Sequence, residues 1–309
     1  MKPFPDGSRV AFFGDSITRL GGGILRVAAQ YRALFPERDV RFFNVGISGG
    51  GLVAANLYFD GWLAPLKPTH VILAFGVNDA GPLCIAPSAA DAAAEAERVS
   101  QAAATFREGY LALVRRIEAL GASVTVRAIT PYDESARSDG AGEPVPGRGA
   151  AFRRIAEQIR SIAVERGLAC LDDYARMSAC TAEEPLFGAD RVHPTDRGHW
   201  RIAGTLLEVQ GLPVPKFKSQ DEVIVESGLG EWFDLSQKVA NILSAEWHFI
   251  RDETLDTGAR IAKAKAWLEA NKDKPMGNPY HPFRVRLVGD YLLNKPREAS
   301  LRAALDAMK

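Results

Sequence analysis

Apolar residues in the first two thirds of the chain alternate between two spacings. Short runs, Val10-Ala11-Phe12-Phe13, Val40 to Asn44, Val71-Ile72-Leu73-Ala74-Phe75, Val124-Thr125-Val126 and Leu168 to Leu171, have the length of buried strands. Between them, apolar positions recur three and four residues apart, the period of a helix face. Ile24, Leu25, Ala28, Tyr31, Leu34 and Phe35 share one side of a predicted helix over 24–35. An Ala-rich helix follows over about 89–120, stopped by Gly121, and further helices are expected near 150–166 and 194–208. Strands that alternate with helices imply βαβ units. The expected fold is α/β, with a mostly parallel five-stranded sheet covered by helices on both faces.

The polar and glycine-rich clusters all follow strands. Gly14-Asp15-Ser16 ends the first, Gly46-Ile47-Ser48-Gly49-Gly50-Gly51 the second, and Gly76-Val77-Asn78-Asp79 the third. In open parallel sheets the ligand site lies beyond the carboxyl ends of the strands, so these clusters mark where chemistry is expected. Residues 133–149 read as a long loop at the same end. Leu212-Pro213-Val214-Pro215 and the polar stretch to Gly230 read as a linker. The expected division is an α/β domain over 1–211, a linker over 212–230 and a helical extension over 231–309. In the extension Trp232, Leu235, Val239, Ile242, Leu243, Trp247 and Ile250 recur at helical spacing, and 258–270 and 296–308 also read as helices. One isolated helix cannot bury such a stripe, so it is expected to pack within the chain.

Charge narrows the function. Lys plus Arg number 38 and Asp plus Glu number 38 among 309 residues, so the formal net charge is zero. That removes the basic field on which non-specific binding to nucleic acid or anionic membranes depends. Residues 251–309 hold twelve Lys/Arg against eight Asp/Glu, a mild excess that suits a solvated face. A hydrophobic content of 47% supports a sizeable core and excludes charge-driven disorder. Cys84, Cys170 and Cys180 are too few and too scattered for a disulfide framework or a zinc site with paired ligands. One Cys170–Cys180 bridge is conceivable, and free thiols in a reducing compartment are the plainer reading. No signal-peptide core opens the chain, and no segment approaches the roughly 18 apolar residues of a membrane span. A soluble, cytoplasmic protein is expected.

Within the strand-end clusters, Ser16 would project from the end of a central strand, where the small Gly14 lets the chain turn. A serine hydroxyl needs a neutral imidazole to take its proton. His193, in Asp190-Arg191-Val192-His193-Pro194, is the candidate base. Asp190 can reach its other ring nitrogen from three residues away, and Pro194 keeps His193 extended. The remaining histidines, His70, His199, His248 and His281, read as core or surface residues. A tetrahedral intermediate needs donors for its oxyanion. Backbone N–H groups of the second cluster, above all Gly49, and the side chain of Asn78 lie at the right edge of the sheet to supply them.

The four clusters together resemble the SGNH (GDSL) hydrolase superfamily over about residues 8–210. Gly14-Asp15-Ser16 matches its first block, Asn44-Val45-Gly46-Ile47-Ser48-Gly49 the second, Gly76-Val77-Asn78-Asp79 the third, and Asp190-Arg191-Val192-His193-Pro194 the last. The resemblance implies a flavodoxin-like three-layer fold and ester hydrolysis without metal or other cofactor. It implies Ser16 as nucleophile, His193 as base and Asp190 as its partner. Oxyanion donors would be the Ser16 N–H, the Gly49 N–H and the Asn78 side chain. Many relatives carry Asp or Asn after the second-block glycine, where this chain has Gly50-Gly51, so a more open or mobile acyl-pocket mouth is expected. The extension is absent from minimal members. It reads either as a purely structural appendage or as a wall on one side of the mouth, with Asn278-Pro279-Tyr280-His281-Pro282-Phe283 nearest the substrate.

Other readings compete. Gly46-Ile47-Ser48-Gly49-Gly50 also fits Gly-x-Ser-x-Gly between a strand and a helix, which would make Ser48 the nucleophile. Asp15, Asp79, Asp190 and His193 could instead ligate a metal in a phosphoesterase. A silent binding protein could keep the fold. Within the hydrolase reading, lipase, thioesterase and acyltransferase chemistry share the same acyl-enzyme. A small-molecule or carbohydrate ester, an O-acetyl ester foremost, is the preferred substrate.

Overall fold

Five apolar runs pair into one parallel sheet: β1 (Arg9–Gly14), β2 (Arg41–Gly46), β3 (His70–Ala74), β4 (Ser123–Ala128) and β5 (Ala169–Asp172). The computed structural model describes residues 1–85, 92–135, 143–180, 185–251 and 294–308, together with 262 and 266. The strand order is β2-β1-β3-β4-β5, the flavodoxin-like order, with its switch point between β1 and β3. Register places Phe13 opposite both Val45 and Leu73, so the ends of β1, β2 and β3 are level. That alignment brings the first three clusters to one edge.

Between the strands run α1 (Ser16–Leu20), α2 (Gly22–Leu34), α3 (Leu52–Tyr58), α4 (Ala92–Ala119) and α5 (Arg148–Arg166), and α6 (Asp173–Ser178) and α7 (Asp196–Val209) follow β5. Helices α2 and α7 pack together on one face, and α3, α4 and α5 form the layer on the other. Strand residues such as Val71, Ile72 and Leu73 are fully buried because both faces are covered. Gly22 and Gly23 open α2 against α7, where a Cβ on Gly22 would lie 2.9 Å from the His199 ring. The expected start of the Ala-rich helix near 89 lies outside the described residues. Its end is as expected: Gly121, at φ 79°, follows and its N–H bonds the Glu118 carbonyl.

The stretch 212–230, read as a linker, contains a further helix, α8 (Gln220–Ser227). Ser219 and Glu222 form a reciprocal capping box at its start, and Gly228 ends it in the left-handed conformation. It packs on α2, and Arg26 ties it down by donating to the Lys218 carbonyl at 3.0 Å. The extension continues with α9 (Gly230–Arg251) and α10 (Glu298–Ala307). Helix α9 packs on β2, the outermost strand, and α10 packs on α9. Trp232, Val239, Ile242, Leu243 and Trp247 are buried in the main core. The stripe therefore packs within the chain. The expected helix 258–270, apart from isolated residues, and Asn278 to Phe283 lie outside the described residues. No helix among the described residues is long and apolar enough to cross a membrane.

Ile72→Ala, at a fully buried position of the central strand β3, should lower unfolding free energy by about 2–5 kcal/mol in urea titration.

Candidate active site

Ser16 follows Asp15, the N-cap of α1, whose carboxylate accepts the Ile17 N–H at 3.0 Å. This short helix lies hard against the sheet. A Cβ on Gly14 would collide with the Thr18 side chain of α1, and one on Gly46 would sit 2.5 Å from the Arg19 Cα. Gly14 was expected to free a turn. Its observed role is to let α1 approach the strand ends. Asn44 then joins β2 to α1: its Nδ2 donates to the Arg19 carbonyl at 3.0 Å, and its Oδ1 accepts the Gly46 N–H at 3.0 Å.

His193 arrives from the other end of the α/β unit. A short antiparallel bridge, Phe187 to Pro194, and a bond from the Gly188 N–H to the His193 carbonyl at 2.8 Å fix its backbone. The turn before it is tight: Arg191 adopts φ 66°, the left-handed region that side chains other than glycine rarely occupy. Its guanidinium donates to the carbonyls of Asp133 at 3.0 Å and Ser135 at 2.7 Å, which braces that conformation. Asp190 Oδ1 consequently accepts the backbone N–H groups of Val192 at 3.0 Å and His193 at 2.9 Å, while Oδ2 meets His193 Nδ1. On the far side of the ring, His193 Nε2 lies 2.7 Å from Ser16 Oγ. With the proton on Nδ1 facing Asp190, Nε2 is the acceptor for the serine hydroxyl. Ser16, His193 and Asp190 thus form one hydrogen-bonded chain.

Both ring nitrogens are thereby committed. Ser48 is buried, and its backbone N–H donates to Ser244 Oγ at 2.9 Å. Asn78 Nδ2 donates to the Gly50 carbonyl at 2.9 Å, so the third cluster is tied to the glycine loop of the second. Gly49 adopts φ 69°, a conformation for which glycine is suited. Gly50 and Gly51 both lie close against neighbouring residues. A Cβ on Gly50 would lie 2.9 Å from that of Ile47, and one on Gly51 would lie 2.5 Å from Asp79 Oδ1. These glycines make room for packing. Asp79 accepts the Leu52 N–H at 3.0 Å, capping α3 in place of a side chain from the loop itself.

Electrostatics separates the carboxylates. Burial works against ionisation of Asp190, but bonding to the His193 ring and to backbone N–H groups outweighs it and holds the pKa down at about 2. Asp190 is therefore an anion suited to an imidazolium partner. Burial pushes Asp15 up to about 7 against its two backbone hydrogen bonds, and burial also raises Asp79. Burial lowers His199 to about 3, which leaves it neutral in the α2–α7 layer. Among the described residues, no group of three or more His, Cys, Asp or Glu side chains is placed to hold a metal ion. Cys84, Cys170 and Cys180 are unbridged.

Sequence reasoning missed Arg191, Asn44 and Asp79 as supports, although each stands inside a block it singled out. It also missed Ser244 and Trp247, which reach the glycine loop from α9.

A doubly wound sheet in this strand order, with Ser, His and Asp meeting at its carboxyl edge, is the architecture of an SGNH-type ester hydrolase. The chain belongs to the GDSL-like lipase/acylhydrolase family, whose model matches residues 12–201. Its fold resembles that of BT4096, a gut microbial diltiazem-metabolizing enzyme, with TM-score 0.70 and 18% identity over 99% of this chain and 96% of that one. It also resembles Axe2, an acetylxylan esterase from Geobacillus stearothermophilus, with TM-score 0.53 and 20% identity over 71% of this chain and 100% of that one. A variant of Axe2, described as an acetyl-xylooligosaccharide esterase, gives TM-score 0.54 at 22% identity, again over 71% and 100%. No curated protein sequence matches the chain.

The raised pKa of Asp15 has a sign that can be tested. The folded protein holds this proton up to about 7, against 3.8 as the ordinary value, so the stabilisation is complete below the ordinary value and is lost as pH rises through 7. The melting temperature of wild type relative to Asp15→Asn should fall between about pH 5 and about pH 8 in thermal melts. An unchanged difference would mean that Asp15 is ionised throughout.

Proposed function

We propose that this protein is a serine esterase acting on short-acyl esters, carbohydrate O-acetyl esters foremost, through an acyl-enzyme. The observation that carries the proposal is the 2.7 Å contact between Ser16 Oγ and His193 Nε2, backed by Asp190 on Nδ1. As Ser16 Oγ attacks the ester carbonyl, His193 Nε2 takes its proton and Asp190 stabilises the imidazolium. The carbonyl oxygen becomes an oxyanion, for which the Ser16 N–H, the Gly49 N–H and the Asn78 side chain are the donors. His193 then returns the proton to the leaving alcohol. Water enters with the same histidine as base, forms a second tetrahedral intermediate and releases the acid, restoring the Ser16 hydroxyl.

The acetyl-ester preference rests on Axe2, an acetylxylan esterase of similar fold. BT4096, similar across nearly the whole chain, adds diltiazem to the compounds worth testing. A panel of 4-nitrophenyl esters of increasing acyl length, acetylated xylo-oligosaccharides and diltiazem tests the substrate class. Fastest turnover is expected on acetyl esters, and a preference for long acyl chains would overturn it.

Ser16→Ala should abolish turnover of 4-nitrophenyl acetate and labelling by an aryl phosphonate, with the wild-type label on Ser16 in peptide maps. A label on Ser48 contradicts the assignment. Asn78→Ala should lower kcat by roughly 10²–10³ with little change in KM, the usual loss for one oxyanion donor. An unchanged kcat would leave Asn78 as a turn residue.

A further inference from the structure

The peptide that joins Ser48 to Gly49 carries the N–H proposed as an oxyanion donor, and both of its neighbours are held by α9. On one side, the Ser48 N–H donates to Ser244 Oγ at 2.9 Å. On the other, Trp247 Nε1 donates to the Gly49 carbonyl at 3.1 Å. Ser244 Oγ also donates to the Gly46 carbonyl at 3.4 Å, so one hydroxyl spans the loop from the end of β2 to Ser48. Ser244 is fully buried and Trp247 is 8% exposed, so water does not compete for these bonds.

The same face of α9 reaches the nucleophile's helix. Gln237 Nε2 donates to the Arg19 carbonyl at 3.0 Å and the Leu20 carbonyl at 3.3 Å, and the Arg19 guanidinium donates to Asn241 Oδ1 at 2.6 Å. Gln237, Asn241, Ser244 and Trp247 follow one another at spacings of four, three and three, a single stripe along the helix. This stripe meets α1 at one end and the glycine loop at the other.

The loop has reason to need such support. Gly49, Gly50 and Gly51 in succession carry more backbone entropy than any other three residues would, and β2 has ended before them. An oxyanion donor acts through preorganisation, and a misplacement on the order of 1 Å can cost 10²-fold in rate. We propose that Ser244 and Trp247 are positioning residues for the Gly49 N–H, which makes α9 part of the catalytic unit. The inference rests on the esterase reading and deepens it.

The test compares Ser244→Ala and Trp247→Phe with Val239→Ala, which thins the apolar packing of the same helix and touches none of these bonds. Each protein is assayed for kcat and KM on 4-nitrophenyl acetate, for the rate of inactivation by an aryl phosphonate, for its pH profile and for its melting temperature. Ser244→Ala and Trp247→Phe should each lower kcat about ten-fold and slow phosphonylation in parallel, since both reactions pass through a charge on the same oxygen. KM and the pH profile should hold, because the His193–Asp190 pair is untouched. Val239→Ala should lose melting temperature and keep kcat.

Should Trp247→Phe fail to fold, Ser244→Ala, which loses only a hydroxyl, decides the matter. Wild-type kcat in Ser244→Ala, or a loss no greater than that of Val239→Ala at equal melting temperature, would overturn the inference while leaving the esterase reading intact. A wild-type protein that neither turns over the ester nor takes up the phosphonate would overturn both.

Discussion

The hydrogen bond between Ser16 and His193 joins residues 177 positions apart, and the arrangement of the molecule serves to make it. Neither partner has latitude. Ser16 begins a short helix pressed against strand ends, an approach that the missing side chains of Gly14 and Gly46 allow. His193 is held by the hairpin at Phe187 and Pro194 and by a turn whose left-handed Arg191 is stapled to the 133–135 segment. The parallel sheet sets both on the same edge, since every β-strand there ends in a loop on the carboxyl side.

A second constraint is polar. Where β2 ends, the glycine loop leaves backbone groups that no strand pairs, and buried groups of this kind must find partners. They find them in three different places: Asn78 for the Gly50 carbonyl, Asp79 for the Leu52 N–H, and Ser244 with Trp247 of α9 for Gly46, Ser48 and Gly49. The loop is thus fixed from the third cluster and from the C-terminal extension at once. Burial of Trp232, Ile242 and Leu243 supplies the apolar part of that docking, and the polar stripe supplies its register. The two parts of the chain share one core.

Much of this was legible beforehand, for physical reasons. Buried parallel strands must be apolar on both faces, so the runs at 10–13, 71–75 and 124–126 stood out without alternation. Asp190 and His193 meet within one turn, so their partnership is written in local spacing. What was missed acts over distance or through backbone shape. Nothing near Ser244 or Trp247 in the sequence announces a glycine loop almost two hundred residues earlier. At Gly50-Gly51 the sequence shows only missing side chains, and not that Ile47 and Asp79 stand where a Cβ would go. Pro213 and Pro215 give the surroundings of α8 the composition of a linker. The Ser219-to-Glu222 capping box was the signal that could have revealed it.

In the proposed mechanism Ser16 attacks while the Gly49 N–H and the Asn78 side chain donate to the oxyanion. A crystal structure of the adduct with an aryl phosphonate tests it most directly. Phosphorus is expected on Ser16 Oγ, with the phosphoryl oxygen about 2.7–3.1 Å from both the Gly49 nitrogen and Asn78 Nδ2, the reach of oxyanion donors. Phosphorus on Ser48, or a phosphoryl oxygen turned away from Gly49 and Asn78 into solvent, would contradict it.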